Sequence, residues 1–312
     1  MTQKTTALPH FTTNPSWKGR DELGVHVMGT MIQNRAPHLE FTLPNVRNDA
    51  NALIDTVHRS ILREQAERQG NNQSMPEVFY LQLDNVNTNK SKDLMAYLSL
   101  LVKRGVFMKV KVNFLMVGHT HENIDQMFSR FSVRLRKEAA LTVKALMKIA
   151  RECFTPSPTC EEVVGQRDWH TWLERHRGNG NDISFNLAFR IKMIEGIAVM
   201  HSKQYGGTDS GYRIWLSEAC VMLPSVPNVV PQPDKLHPLK PQDYLALCNL
   251  QHNLEERLSM DYKDETKEFW DTQVDFQQKV IDGTQLVDIP TTWPAAHNYV
   301  APAGTVPRHA CL

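Results

Sequence analysis

The stretch FLMVGHTHENIDQMFSRF, residues 114–131, runs an apolar segment into Gly118-His119-Thr120-His121 and then sets Ile124, Met127, Phe128 and Phe131 at helical spacing. A buried strand, a glycine turn and an amphipathic helix in succession make one unit of an α/β fold. A similar unit stands just upstream. Residues 77–83 (EVFYLQL) form a short apolar run that stops at Asp84-Asn85, and residues 89–103 then place Leu94, Tyr97, Leu98, Leu101 and Val102 on one helical face before Gly105. Further back, residues 45–69 carry Ala50, Leu53, Ile54, Val57, Ile61 and Leu62 between charges and end at Gly70-Asn71-Asn72. Residues 24–33 and 38–43 alternate as two strands of a hairpin that turns at residues 34–37. The order strand, strand, helix, strand, helix, strand, helix predicts a mixed sheet covered by helices.

The pattern loosens after residue 140. Residues 141–153 and 168–177 read as helices, with a proline break at 156–158 and a Gly-Asn loop at 178–181. Residues 183–200 and 211–215 read as strands of a small appended sheet. The chain therefore divides into a core at 1–140, an α+β extension at 141–222, a proline-dense linker at 223–243, an acidic helical segment at 244–289 and a tail at 290–312. That tail is rich in Pro, Ala and His, a composition that favours disorder.

With 41% hydrophobic and 22% charged residues in 312, the composition is that of a globular protein. No apolar run approaches the ~20 residues of a membrane span, and the opening MTQKTTALPHF lacks the plan of a signal peptide. The expectation is an intracellular protein with no membrane partner. Its five cysteines are widely spaced and include no Cys-x-x-Cys pair, so they read as reduced thiols. The net charge of +1 conceals an asymmetry: residues 103–151 hold eleven Lys/Arg against three acids, and residues 255–288 hold ten acids against four bases. A charge run is most often a solvated face. Around a candidate site, however, the basic stretch also suits a polyanion, DNA or alternatively RNA, with Arg130, Arg134, Arg136 and Lys137 as its contacts.

Two chemistries compete for the central motif. Gly-His-Thr-His after a buried strand also occurs in metallophosphoesterases, where both histidines bind a two-metal centre. That centre needs an Asp-x-His, a Gly-Asn-His and a bridging Asp, and none of these precedes the motif. The stronger reading starts from two acids at element ends: Asp84, at the close of a strand, and Asp125, in the first turn of a helix. Either alone has a bland use as a cap for backbone N–H groups. Together they lie 41 residues apart, separated by one helix and one strand. This order recurs in the ribonuclease H-like fold of transposases and integrases, where carboxylates converge on two Mg²⁺ ions, and oxygen ligands suit that hard cation.

The segments at residues 78–107 and 112–130 resemble the two signature blocks of the DUF7869 family, an uncharacterised transposon-derived group. Those blocks are a Leu-x-x-Asp-Asn motif followed by an Asn-Lys-x-x helix, and a Phe-Leu-x-Val-Gly-His-Thr-His-x-x-Ile-Asp-x-x-Phe motif. The resemblance implies a ribonuclease H-like core of DDE-transposase ancestry. It makes Asp84 the second carboxylate and Asp125 the third, with Glu122 as a substitute third, and Mg²⁺ or Mn²⁺ as cofactor. Asn85, Gly118, His119, Thr120 and His121 would then shape the turn or orient the carboxylates. The first carboxylate belongs on a strand preceding the hairpin. Since the chain opens on a segment similar to one downstream of that acid, the expectation is a sheet without its first strand and an impaired or degenerate site. The competing expectation is a non-catalytic nucleic-acid-binding or interaction protein. A nuclear location would follow from either use of DNA, although no targeting motif is evident.

Overall fold

Val25 and Val27 are fully buried, and their neighbours Gly24, His26 and Met28 are not. That period of two makes Leu23–Thr30 a strand with one core-facing side. It pairs antiparallel with His38–Thr42, setting Met28 opposite Glu40. On its other flank it pairs with Thr2–Leu8, from Leu8 opposite Leu23 to Thr2 opposite Gly29. A fourth strand, Thr159–Glu162, joins His38–Thr42 in parallel. Numbered in chain order these are β1 (Thr2–Leu8), β2 (Leu23–Thr30), β3 (His38–Thr42) and β6 (Thr159–Glu162), with the sheet order β1-β2-β3-β6. In this computed structural model the described residues are 2–12, 22–86, 88–115, 123–179, 183–184, 186–203, 220–257, 263–287, 289 and 292–296.

The flank of β2, expected to stand open for want of a first strand, is covered by β1. The sequence TQKTTAL offers no apolar alternation and no carboxylate, but its threonines suit extended backbone, and a neighbouring strand supplies the pairing.

The second sheet is built on β4 (Val78–Leu83) and β5 (Lys109–Phe114), which run parallel and are joined by the helix α2 (Lys92–Lys103). Next to β5 lies β7 (Ala188–Ile194), antiparallel, followed by β8 (Ile197–Lys203) in a tight hairpin. The hairpin turn is Glu195-Gly196 with φ of 48° and 81°. Positive φ at both central residues matches the twist of the flanking strands, and glycine takes it without strain. The order is β4-β5-β7-β8. The expected single mixed sheet is thus two four-stranded mixed sheets. Residues 188–203 extend the second of them and do not form a sheet of their own. The 211–215 strand falls outside the described residues.

Between the sheets lies α1 (Ala50–Gly70), capped by Asp49, whose carboxylate accepts from the N–H groups of Asn51 and Ala52. Its apolar residues Leu53, Ile54, Val57 and Ile61 join one core with α2, both β4 and β5, and Trp169 and Leu173 of the short helix α5 (Trp169–Glu174). Its polar residues meet the first sheet: Thr56 donates to buried Glu40 of β3 at 2.7 Å, and Arg59 and Arg63 pair with the same carboxylate. The opposite face of the first sheet forms a second core with α3 (Asn123–Leu135), α4 (Val143–Glu152), α6 (Pro241–Arg257) and α7 (Lys263–Ile281). Phe41 of β3 meets Phe131 of α3 edge-on at 6.5 Å. The proline-dense stretch after residue 222 is laid against this body: Trp172 Nε1 donates to the Val229 carbonyl at 2.6 Å, and the Asp234 N–H to the Gln166 carbonyl at 2.7 Å.

Gly29 lets α3 approach β2, because a Cβ there would stand 2.8 Å from Met127 Cε and 2.9 Å from Phe128. Gly29→Val should therefore lower unfolding stability by roughly 1–3 kcal/mol through overpacking. Chemical denaturation measures this, and an unchanged midpoint would show that α3 does not lie on β2.

His58 of α1 is buried among Tyr97, Trp169 and Trp293. Its Nε2 lies 2.9 Å from the Thr292 carbonyl and must donate, so Nδ1 accepts from the Tyr97 hydroxyl, also at 2.9 Å. Burial, reinforced by the Arg167 charge, pushes the imidazole pKa down to about 4. The folded state thus holds His58 neutral where the unfolded chain, at about 6.5, takes up a proton. Stability should be full above pH ~6.5 and fall as the pH drops toward 4, by up to roughly 3 kcal/mol. The Glu40 contribution is lost only below its ordinary 4.5, and in the window above that His58 shares the loss with His26 and His201, whose pKa values burial also lowers. His58→Gln should flatten the slope of stability against pH there.

Candidate functional site

Parallel strands end side by side. The register sets Leu83 of β4 against Phe114 of β5, and the Leu115 N–H donates to the Leu83 carbonyl at 3.0 Å. Asp84, half-buried, is the next residue of the first strand. The chain turns there: Asn89 Nδ2 donates to the Asp84 carbonyl at 3.0 Å, and Ser91 caps α2 by accepting from the Leu94 N–H at 3.1 Å. The loop also brings in Lys90, which the sequence reading passed over. Its ammonium donates to the Ser184 carbonyl at 3.0 Å and lies 5.3 Å from the Phe114 ring centre, and burial pushes its pKa down. A cation at this strand end suits an anionic ligand, and the only signal for it was its place in the Asn-Lys motif.

Asp125 stands, half-buried, in the first turn of α3 as the sequence predicted. The positive end of the helix dipole favours a carboxylate there. The same helix buries Ile124, Met127, Phe128, Phe131 and Leu135 against the first sheet. The two aspartates are therefore carried by different layers: Asp84 by the second sheet, Asp125 by a helix packed on the first. Gly118, His119, Thr120, His121 and Glu122, which link them, fall outside the described residues. Asn85 is half-buried in the loop after Asp84.

Among the predicted nucleic-acid contacts, Arg130 is exposed beside the Phe154 ring, and Arg136 and Lys137 are exposed just past the end of α3. Arg134 is committed to Glu138 and to Glu152, the latter at 3.0 Å.

Histidine and carboxylates do converge elsewhere, at His38, Glu40 and Glu161 on neighbouring strands β3 and β6. His38 Nε2 stands 3.7 Å from Glu40 Oε1 and 3.5 Å from Glu161 Oε2. Those oxygens are already used, since Arg59 and Arg63 donate to Glu40 Oε1 and Arg63 also reaches Glu161 Oε2. Burial pushes the Glu40 carboxyl up, but the two guanidiniums and the Thr56 hydroxyl outweigh it and hold it at about 2. A metal ion placed among these oxygens would sit against two fixed cations. The cluster is an ion-pair network that ties two strands to α1. Accordingly, added Zn²⁺ should leave the melting temperature unchanged, whereas Glu40→Gln, which strips two half-buried guanidiniums of their buried partner, should reduce stability by roughly 3 kcal/mol. A zinc-dependent rise in melting temperature that Glu40→Gln abolishes would make the cluster a metal centre instead.

The DUF7869 model, described as a domain of unknown function, matches residues 16–208. That is more than half of the chain, which belongs to this family. No curated protein and no solved structure matches it.

Proposed function

We propose that this DUF7869 chain is a transposase-derived, nucleic-acid-processing domain of ribonuclease H-like descent, with Asp84 and Asp125 as the carboxylates of a phosphoryl-transfer site. One observation carries the reading: parallel strands joined by α2 end in register, the first runs directly into Asp84, and the second leads, after residues 115–122, into the helix whose first turn holds Asp125. Acids at the carboxyl ends of adjacent parallel strands lie at the edge where open α/β sheets place their ligands. The chain order of hairpin, helix, strand, helix, strand, helix is also that of the ribonuclease H-like core, although the strands here divide between two sheets.

Two carboxylates supply the hard oxygen donors that Mg²⁺ or Mn²⁺ takes, and such ions, when bound, activate a water or hydroxyl and stabilise the leaving oxygen of a phosphodiester. The chain's own share is positioning. Asp84 is held by the Asn89 bond to its carbonyl and Asp125 by the buried face of α3, and Lys90, which donates to the Ser184 carbonyl, supplies a cation at the same strand end. The described residues of β1 and β2 add no carboxylate, so the site rests on fewer acids than the three-carboxylate pattern, and weak metal affinity and slow turnover follow.

The exposed Arg130, Arg136 and Lys137 favour a second reading, a nucleic-acid-binding protein without catalysis. Metal titration separates the two. Mn²⁺ binding followed by electron paramagnetic resonance should be present in the parent chain and fall at least tenfold in Asp84→Asn and in Asp125→Asn, with melting curves unchanged. Equal Mn²⁺ binding in all three proteins would leave the acids as helix and loop caps and make the binding reading the better one.

A further inference from the structure

Residues 292–296 (TWPAA) lie in the tail whose composition favours disorder, and they form neither helix nor strand. They are nonetheless seated in a groove walled by α1, the end of α2 and α5. The Thr292 carbonyl accepts from His58 Nε2 at 2.9 Å, and the Ala295 N–H donates to Gln65 Oε1 at 3.0 Å. Between these two bonds the Trp293 ring packs on the core of the second sheet, its centre 5.6 Å from that of His58, 5.9 Å from Trp169 and 5.7 Å from Trp172. The Arg104 guanidinium lies 4.0 Å from the same ring centre. Pro294 is buried, and Ala296 lies over Gly105, where a Cβ would come within 3.9 Å of it.

The walls of this groove are fixed without the segment. Trp169 Nε1 donates to Asp55, Trp172 Nε1 to the Val229 carbonyl, and His58 Nδ1 accepts from the Tyr97 hydroxyl. That leaves His58 Nε2 as a donor for an incoming carbonyl and Gln65 Oε1 as an acceptor for an incoming N–H, the pair that an extended peptide presents. The side-chain slot is selective as well. Arg104 makes no ion pair among the described residues, so the face of an electron-rich ring is its partner, and tryptophan is the ring that suits a cation best. A proline after that tryptophan biases it toward extended backbone, so a Trp-Pro segment enters already shaped and loses little freedom. Ownership separates the two parts further: His58, Gln65, Arg104, Trp169 and Trp172 all fall within the family match at 16–208, and the occupant lies outside it. No helix or ladder bonds tie the segment down, which lets it open by itself while the walls stay folded.

We propose that the groove between α1, α2 and α5 is a docking site for an extended Trp-Pro peptide, and that residues 292–296 are its tethered occupant, which a segment of the same chemistry supplied in trans displaces. The proposal goes beyond the phosphoryl-transfer reading and stands whether or not Asp84 and Asp125 bind metal.

The test is fluorescence anisotropy with a labelled peptide of residues 290–298 (PTTWPAAHN) added to the full chain. In Trp293→Ala, which empties the ring slot, the free peptide should bind, and replacing its own tryptophan by alanine should abolish the signal. The parent chain should bind the peptide at least roughly tenfold more weakly than Trp293→Ala, because its own segment, tethered through residues 282–291, competes at an effective concentration of about a millimolar. Adding Arg104→Gln to Trp293→Ala should weaken peptide binding by about twofold to fivefold through loss of the cation–π contact. A tail that merely packs on the surface predicts none of these results. The proposal is overturned if Trp293→Ala does not bind the peptide, binds the tryptophan-free peptide equally, or binds no better than the parent. Should Trp293→Ala fail to fold, hydrogen exchange on the parent chain decides: the Ala295 amide should exchange by local opening ahead of the α1 amides, and protection equal to that of α1 overturns the proposal.

Discussion

The carboxylate of Asp55 on α1 is completely buried, and the arrangement of both sheets depends on how it and Glu40 are neutralised. Asp55 accepts from Arg59, from Arg167 at 2.8 Å and from Trp169 Nε1 at 3.0 Å. Arg59 reaches across to Glu40, where Arg63 and Thr56 complete the set. Burial acts against the Arg59 charge, and Glu40 with Asp55 outweighs it, so its pKa rises above the ordinary value. Buried pairs of this kind add little net stability over an apolar core, but removing one member leaves an uncompensated charge. What they supply is specificity. A slip of β3 by one residue would set Leu39 or Phe41 against the guanidiniums and turn Glu40 into the apolar core beneath α3.

The network is also the joint between the two cores. Glu40 belongs to the first sheet, whereas Trp169 packs among α1, α2 and the second sheet. A second set of bonds fixes α2 to the same frame: buried Asp93 accepts from His170 Nδ1 at 2.9 Å and from Arg177, and Asn51 of α1 accepts from the His170 N–H at 2.8 Å. Since α2 is the crossover between β4 and β5, these contacts set where β4 ends.

Much of this was legible where the signal is local. The alternation of Val25 and Val27 and the helical spacing of Leu53, Val57 and Ile61 and of Leu94, Leu98 and Leu101 placed β2, α1 and α2 within about five residues, whereas the caps Asp49 and Ser91 that start the two helices went unread. Strand partners were not legible, because pairing joins distant residues. β1 carries threonines without apolar alternation, and β6 is only four residues, TCEE. The register of the second sheet was hidden for the same reason: Lys109 and Lys111 looked like part of a basic run that continues into α3, and their cross-strand neighbours, Lys192 and Arg190, come far later in the chain. Proline density suggested a free linker at 223–243. The segment is instead held by bonds its prolines do not supply, such as those of the Val229 carbonyl and the Asp234 N–H. Of the candidate site, the residue types and their positions at a strand end and a helix start could be read, but the way they are carried could not.

That mode of support bears on how the site can work. Asp84 moves with the second sheet, and Asp125 moves with α3, which Gly29 and Phe41 seat on the first. Their separation is therefore governed by the joint at Asp55, Glu40 and Arg59, together with residues 115–122 of the connecting chain. In a single continuous sheet, backbone pairing between neighbouring strands would fix such a distance. Here no described strand pairs one sheet with the other, and side-chain bonds such as those of Asp55, Glu40 and Arg59 help hold the two cores together.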